Sequence, residues 1–360
     1  MMLAGSEKYS PYGDARPAPS RRFVRQVDER QCATDSATAC TSFIPANREG
    51  KMEHRSLGRS GLRVSLVGLG CNGFNDLEKA RDVYGAARDC GIDFFDLADM
   101  YGGPGGVSET IMGELSQGHR DQIIIATKGG FATDGSFRAM GASRRYLVQA
   151  VEASLKRLKT DYIDLYQIHT PDPLTPLDET LRALDDMIRQ GKIRYVGASN
   201  YAGWQLVDAM WIAETNKLSR FISSQNEYNL LARGIEASTL PAMQRAGVGL
   251  LPYFPLASGL LTGKVTRDTP PAPGTRLTMG GLPSKVLNDT NLAKAEALKA
   301  LAESRGRTLV ELAFGWLASR PETASIIAGA SRGDQVRANA ASADWTLDAE
   351  LLAAIDAITL

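Results

Sequence analysis

The sequence predicts a single α/β domain, a closed (β/α)8 TIM barrel with an N-terminal hairpin cap and extra C-terminal helices. Two observations predict it. From Ser65 onward, short apolar strands alternate with amphipathic helices, the pattern of a parallel sheet. Eight such units follow one another without a break over roughly 300 residues, a length at which eight parallel strands close into a barrel.

Residues 1–51 stand apart. They are rich in Ala, Ser, Arg, Thr and Pro, with few clustered aliphatics and no helical period, so a disordered N-terminal extension is expected there. An Arg-rich targeting peptide is the competing reading, and Glu7, Asp14, Asp28 and Glu29 speak against it. Residues 52–360 are then the barrel, with Met52 expected to open the folded part. A short polar hairpin turning at Gly61 leads into the first strand, 64–68, and a helix over 76–90. The strand 94–96 precedes a helix over 108–116. The run Ile-Ile-Ile-Ala-Thr-Lys at 123–128 reads as a buried strand. In the helix 143–158, Leu147, Val151, Leu155 and Leu158 share one face. A strand at 162–169 follows, then a helix over 176–190. Leu177, Leu181, Leu184 and Ile188 line that helix, and Gly191 stops it. Strands at 193–199, 221–225 and 249–254 alternate with helices at 202–216 and 236–246. A Gly- and Pro-rich loop runs to about Pro283. Helices at 291–305 and 308–319, a strand at 325–328, and helices at 333–340 and 348–357 complete the pattern.

Composition narrows the function. Forty-one basic residues balance 41 acidic ones, so nothing supports nucleic-acid binding. Cys32, Cys40, Cys71 and Cys90 form no C-x-x-C pair and read as reduced thiols of a cytoplasmic protein. His54, His119 and His169 are far apart and build no metal-ligand motif, so no metal is expected. No apolar run is long enough for a membrane span, and residues 1–13 lack the apolar core of a secretory signal.

In such a barrel the chemistry sits where strands end. Asp96 ends the second strand and Tyr101 follows in its loop; Lys128 ends the third and His169 the fourth. A free phenol keeps its proton to about pH 10, and a neighbouring ammonium favours the phenolate. Lys128 would tune Tyr101, Asp96 would hold Lys128, and His169 would orient a carbonyl oxygen. Tyr101 would then give that oxygen a proton while a hydride reaches the carbon. Side chains cannot supply a hydride, which implies a nicotinamide or flavin. Two loops suit phosphates: Pro255 to Lys264 after the seventh strand, and Gly329 to Arg332 after the eighth, at a helix N-terminus. Arg332 could grip a 2′-phosphate, favouring NADPH. The plainer reading makes Ser331 an N-cap and Arg332 a solvated charge.

One motif argues for a different fold. Residues 68–73 match G-x-G-x-x-G after a strand, with Asp96 ending the next strand, the Rossmann pattern of an NAD-dependent dehydrogenase. Under that reading Lys128 and His169 have no role. Under the barrel reading, Gly68 and Gly70 let the first strand turn tightly.

From Met52 to about Ala340 the sequence resembles the aldo-keto reductase superfamily, particularly its bacterial members. The resemblance rests on Phe95-Asp96-Leu97-Ala98-Asp99-Met100-Tyr101-Gly102 with Ser108-Glu109, ATKGG at 126–130, DLYQIH at 164–169, GKIRYVGASN at 191–200 and GASRGDQVRAN at 329–339. It implies a tetrad of Asp96, Tyr101, Lys128 and His169, with Tyr101 the general acid in NADPH-dependent reduction of a small carbonyl substrate. By the same resemblance Ser199, Asn200 and Gln225 bond the nicotinamide carboxamide, and Tyr253 stacks on the ring. Pro255, Leu256, Ala257, Ser258, Gly259 and Lys264, with Arg276, hold the pyrophosphate region. Gly329, Ser331, Arg332, Gln335 and Asn339 hold the adenosine 2′-phosphate end. Leu97, Phe254 and Ala338 depart from the family's commoner threonine, serine and acidic residue. Some relatives, the β subunits of potassium channels, act mainly as partners, so a cofactor-binding regulatory subunit is the alternative. Phe131, Phe137, Met140 and Tyr201 in the long loops suggest a partly apolar substrate pocket, with loop packing as the equal alternative. The physiological substrate and the oligomeric state stay open at this level.

Overall fold

The computed structural model describes residues 52–103, 105–131, 140–278 and 285–360; the expected N-terminal extension, Cys32, Cys40, Phe137 and Pro283 lie outside them. The chain opens with an antiparallel hairpin, β1 (His54–Ser56) and β2 (Arg63–Ser65). Then come β3 (Val67–Gly70), α1 (Leu77–Asp89), β4 (Phe94–Asp96), α2 (Val107–Leu115), β5 (Ile124–Gly129), α3 (Arg144–Leu158), β6 (Ile163–Ile168) and α4 (Leu177–Arg189). The pattern continues through β7 (Ile193–Ser199), α5 (Gly203–Asn216), β8 (Phe221–Glu227), α6 (Thr239–Ala246) and β9 (Gly249–Tyr253). Two helices, α7 (Asp289–Ser304) and α8 (Leu309–Ala318), precede β10 (Ile326–Gly329); α9 (Gly333–Ser342) and α10 (Ala349–Thr359) end the chain. Strands β3 to β10 pair in parallel and close into an eight-stranded barrel, β10 lying between β9 and β3.

Local chemistry sets these boundaries. Asp76 caps α1 by accepting from Lys79 N, and Ser143 caps α3 by accepting from Tyr146 N. Thr308 and Glu311 form a reciprocal capping box at the start of α8. Gly247 ends α6 in the left-handed conformation.

Side chains alternate along each strand, and that alternation builds two cores. The larger one lies between the strands and the helical ring. The smaller one gathers Leu57, Val64, Phe94, Ala126, Leu165, Leu251, Ala324 and Ile327. Period two then carries Phe94 on to Asp96, Ala126 to Lys128, and Leu251 to Tyr253, toward the strands' C-terminal ends.

The hairpin turns differently from the sequence expectation. The left-handed residue is Gly58, not Gly61. A Cβ on Gly58 would lie 2.4 Å from the Ile222 carbonyl and 2.6 Å from that of Gly247. The close approach lets Arg59 N–H donate to Gly247 O at 2.8 Å, and Leu57 is fully buried beside it.

The closed barrel also overturns the Rossmann reading of residues 68–73. Gly68 and Gly70 lie within β3, paired with β10 and β4, and neither has a positive φ. Their role is close packing, which corrects the expectation of a tight turn. A Cβ on Gly68 would stand 2.7 Å from Ser325 Oγ and 2.9 Å from Phe94 Cδ1; one on Gly70 would press Ile327 Cγ2 at 3.3 Å. No described helix is long and apolar enough to cross a membrane.

Candidate active site

The strand ends bring together the four groups expected from the sequence. Lys128, at the end of β5, is wholly buried. Its Nζ donates to Asp96 Oδ2 and to the Leu97 carbonyl, each at 2.8 Å, and to the Tyr101 hydroxyl at 3.4 Å. Asp96 is also held from the far side, where Gln225 Nε2 donates to its Oδ1 at 2.8 Å. His169 follows β6 and meets Tyr101 edge-on, ring centroids 5.8 Å apart. Phe131 also packs edge-on against the imidazole, ring centroids 4.5 Å apart.

The electrostatics follow from burial. Removing Lys128 from water works against its charge, but Asp96 and the Tyr101 oxygen more than offset that, and its pKa rises. Burial raises the Tyr101 pKa; Lys128 pulls it down and Asp96 pushes it up, leaving the phenol above its ordinary value. The sequence expectation had Lys128 lowering this pKa. The lysine does act in that direction, and desolvation outweighs it. Burial, helped by Lys128, drives His169 down to about 2. Burial thus favours the neutral imidazole, and its Nδ1 is buried without a partner among the described residues.

These groups open onto a cavity of about 260 Å³. Of the residues expected to bind cofactor, Asp96, Ser199, Asn200, Gln225, Tyr253, Arg276 and Gly329 line it, along with Tyr101 and His169. The Tyr253 hydroxyl donates to Asn200 Oδ1 at 2.9 Å, and Asn200 Nδ2 donates to the His169 carbonyl at 3.0 Å. Ser199 Oγ donates to the Gln225 carbonyl at 3.1 Å.

The other expected cofactor residues lie outside this cavity. Pro255, Leu256, Ala257, Ser258 and Gly259 form the loop after β9, and Lys264 is exposed beyond it. Phe254, Ala257, Ser258 and Gly259 all have positive φ, and Ser258 Oγ is buried without a partner among the described residues. Ser331 and Arg332 are exposed after β10, while Asn339 is buried in α9. Gln335 Oε1 accepts from Ser331 N and Oγ, and the Arg332 guanidinium pairs with Asp334 at 3.0 Å. Arg332, not Ser331, occupies the N-cap of α9, correcting the plainer reading of that loop.

Two further cavity residues escaped the sequence reading. Asn72 accepts from Arg276 at 2.7 Å across 204 residues of chain, and Ile327 faces it from β10. Asn72 did carry a signal, as a polar residue just past a strand end, but it was absorbed into the glycine motif.

A model of the aldo/keto reductase family matches residues 66–359. The chain is 36% identical over 304 residues to a probable voltage-gated potassium channel subunit beta of Arabidopsis thaliana, covering 81% of this chain and 92% of that one. It is 36% identical over 324 residues to an L-glyceraldehyde 3-phosphate reductase of Escherichia coli, covering 86% and 93% respectively. To a versiconal hemiacetal acetate reductase of Aspergillus parasiticus it is 33% identical over 328 residues, covering 83% and 94%.

Proposed function

The chain belongs to the aldo/keto reductase family, and from that premise we propose that it reduces an aldehyde or ketone to the alcohol, with NADPH as hydride source and Tyr101 as general acid. One observation carries the reading. A fully buried ammonium, Lys128, is fixed between Asp96 and the hydroxyl of Tyr101 beside a cavity, with the neutral His169 opposite.

The residues fit such a cofactor. Gln225 spends Nε2 on Asp96 and its Oε1 takes no hydrogen bond among the described residues, leaving an acceptor for a carboxamide beside Ser199 and Asn200. Tyr253 offers a ring face. The strained loop at 254–259, with its orphaned Ser258 hydroxyl, has the form of a backbone cradle for phosphates; Lys264 and Arg276 would add charge. At the 2′-phosphate end, Arg332 has only its exposed pair with Asp334 to release, a small cost, with Ser331, Gln335 and Asn339 nearby in chain. Bound NADPH supplies the hydride to the carbonyl carbon.

The protein's part is proton placement. His169, neutral throughout, can donate one N–H to the carbonyl oxygen without competing as an acid. Tyr101 keeps its proton until negative charge grows on that oxygen, then transfers it. The phenolate left behind faces Lys128 Nζ, whose charge Asp96 secures. Phe131 gives the cavity an apolar wall against His169.

Turnover of an aldehyde and ketone panel, followed by NADPH absorbance, tests this. Oxidation of NADPH by at least one carbonyl, faster than NADH, is expected. Binding of NADPH with no turnover across the panel would favour the regulatory-subunit alternative, which the potassium channel subunit among the relatives motivates.

A further inference from the structure

Behind Lys128 lies a second buried polar group that the proposed reaction does not use. Asp99 is 5% exposed. Its Oδ2 accepts from the Tyr146 phenol at 2.9 Å, and that phenol oxygen accepts from Gly130 N–H at 3.1 Å. Asp99 N–H donates to the Lys128 carbonyl at 3.0 Å, and His169 N–H donates to the Gly129 carbonyl at 2.9 Å. Thr127 Oγ1 donates to the buried Glu109, which Arg157 holds at 2.6 Å. Four successive residues, 127 to 130, are thus each bonded to another element. Two of them are glycines with no side chain to anchor them. Gly129 admits nothing larger, because a Cβ there would lie 2.2 Å from Tyr166 Oη and 3.3 Å from Asp99 Oδ2.

We propose that Asp99 and Tyr146 are positioning residues for the reduction: together they clamp the strand end from which Lys128 reaches Tyr101 and to which His169 is tied. This rests on the reductase reading above. A shift of the Lys128 carbonyl would lengthen a contact already at 3.4 Å, and misplacements of about 1 Å can cost two orders of magnitude in rate.

The clamp is also sensitive to pH. The groups facing Asp99 are Tyr146 and Arg157 from α3, Glu109 from α2, Lys128 from β5 and Tyr166 from β6. Burial raises Asp99 to about 6 despite the Tyr146 hydrogen bond, Glu109 adding to the rise while Arg157 and Lys128 oppose it. Among the described residues its Oδ1 has no partner to favour the charge. Above that pH the carboxylate takes a charge-assisted bond from Tyr146; below it the bond weakens and the clamp loosens. Because the folded pKa is raised, the stability Asp99 contributes is full below its unfolded value and is lost as pH rises through about 6. The ionised clamp is held at a cost to stability.

Two variants of the full chain test the proposal. Tyr146→Phe should lower kcat roughly 10-fold to 100-fold with the NADPH Kd unchanged, and should speed Gly130 amide exchange in the free protein by at least about 10-fold. Asp99→Asn gives Tyr146 only a neutral acceptor, as the protonated carboxyl does, so kcat at pH 8 should fall to the wild type's low-pH level and the acid limb near pH 6 should disappear. It should be no less stable than wild type at pH 8, which a merely structural aspartate would not allow. Wild-type kcat in Tyr146→Phe, or an acid limb that persists in Asp99→Asn, overturns the proposal. A wild-type protein that turns over no carbonyl sinks the reductase reading instead, and Gly130 exchange then decides the clamp by itself, unchanged protection in Tyr146→Phe refuting it.

Discussion

Replacing Tyr101 by Phe is expected to lower kcat by about 10³-fold, within the range that a positioned general acid contributes, while NADPH binds as before. The asymmetry follows from the contacts. Among the described residues the hydroxyl has one partner, Lys128 Nζ at 3.4 Å, so its loss disturbs little of the fold. The ring stays, and with it the edge contact to His169. No neighbour can take over the proton: His169 is held neutral, and Lys128 is committed to Asp96 and the Leu97 carbonyl. Parallel measurement of kcat and of NADPH Kd by fluorescence checks this. A variant that lost both equally would show Tyr101 to be part of the binding surface and not the acid.

Lys128→Met should damage both turnover and stability. Lysine and aspartate are both buried, and breaking such a pair by removing one partner costs about 3–5 kcal/mol because a charge is left uncompensated. Among the described residues, Asp96 would keep only the Gln225 amide. The tyrosine would lose the cation that stabilises its phenolate, so turnover should fall at least as far as in Tyr101→Phe. Denaturant unfolding separates the two effects. The double variant Asp96→Asn/Lys128→Met removes the orphaned charge and should recover at least about 1 kcal/mol relative to Lys128→Met alone, with no return of activity. A double variant as unstable as the sum of its parts would mean that packing, not charge, governs the site.

Much of this was legible in the chain, for reasons that can be named. The strands β4 to β9 and their helices announce themselves by period, and a barrel's strand ends are where its chemistry gathers. Asp96, Lys128 and His169 therefore stand out by position alone. The misreadings share a cause: each concerns contact between residues far apart in sequence. Gly68 and Gly70 look like a phosphate loop until Ser325 and Ile327, over 250 positions later, are seen against them. Gly58 is needed because Ile222 and Gly247 crowd it. The direction of the Tyr101 shift depends on how much water is excluded, a property of the assembled cavity. Asp99 and Glu109 sit inside recognisable motifs, yet nothing local says that one meets Tyr146 and the other Arg157.

The account turns on where the nicotinamide lies. A crystal structure with NADP+ bound tests it most directly. The ring is predicted to rest against Tyr253, its carboxamide beside Ser199, Asn200 and Gln225, and its C4 edge toward the hydroxyl of Tyr101. A dinucleotide bound only along the loop at 68–73, or a ring remote from Tyr101 and Lys128, would contradict it.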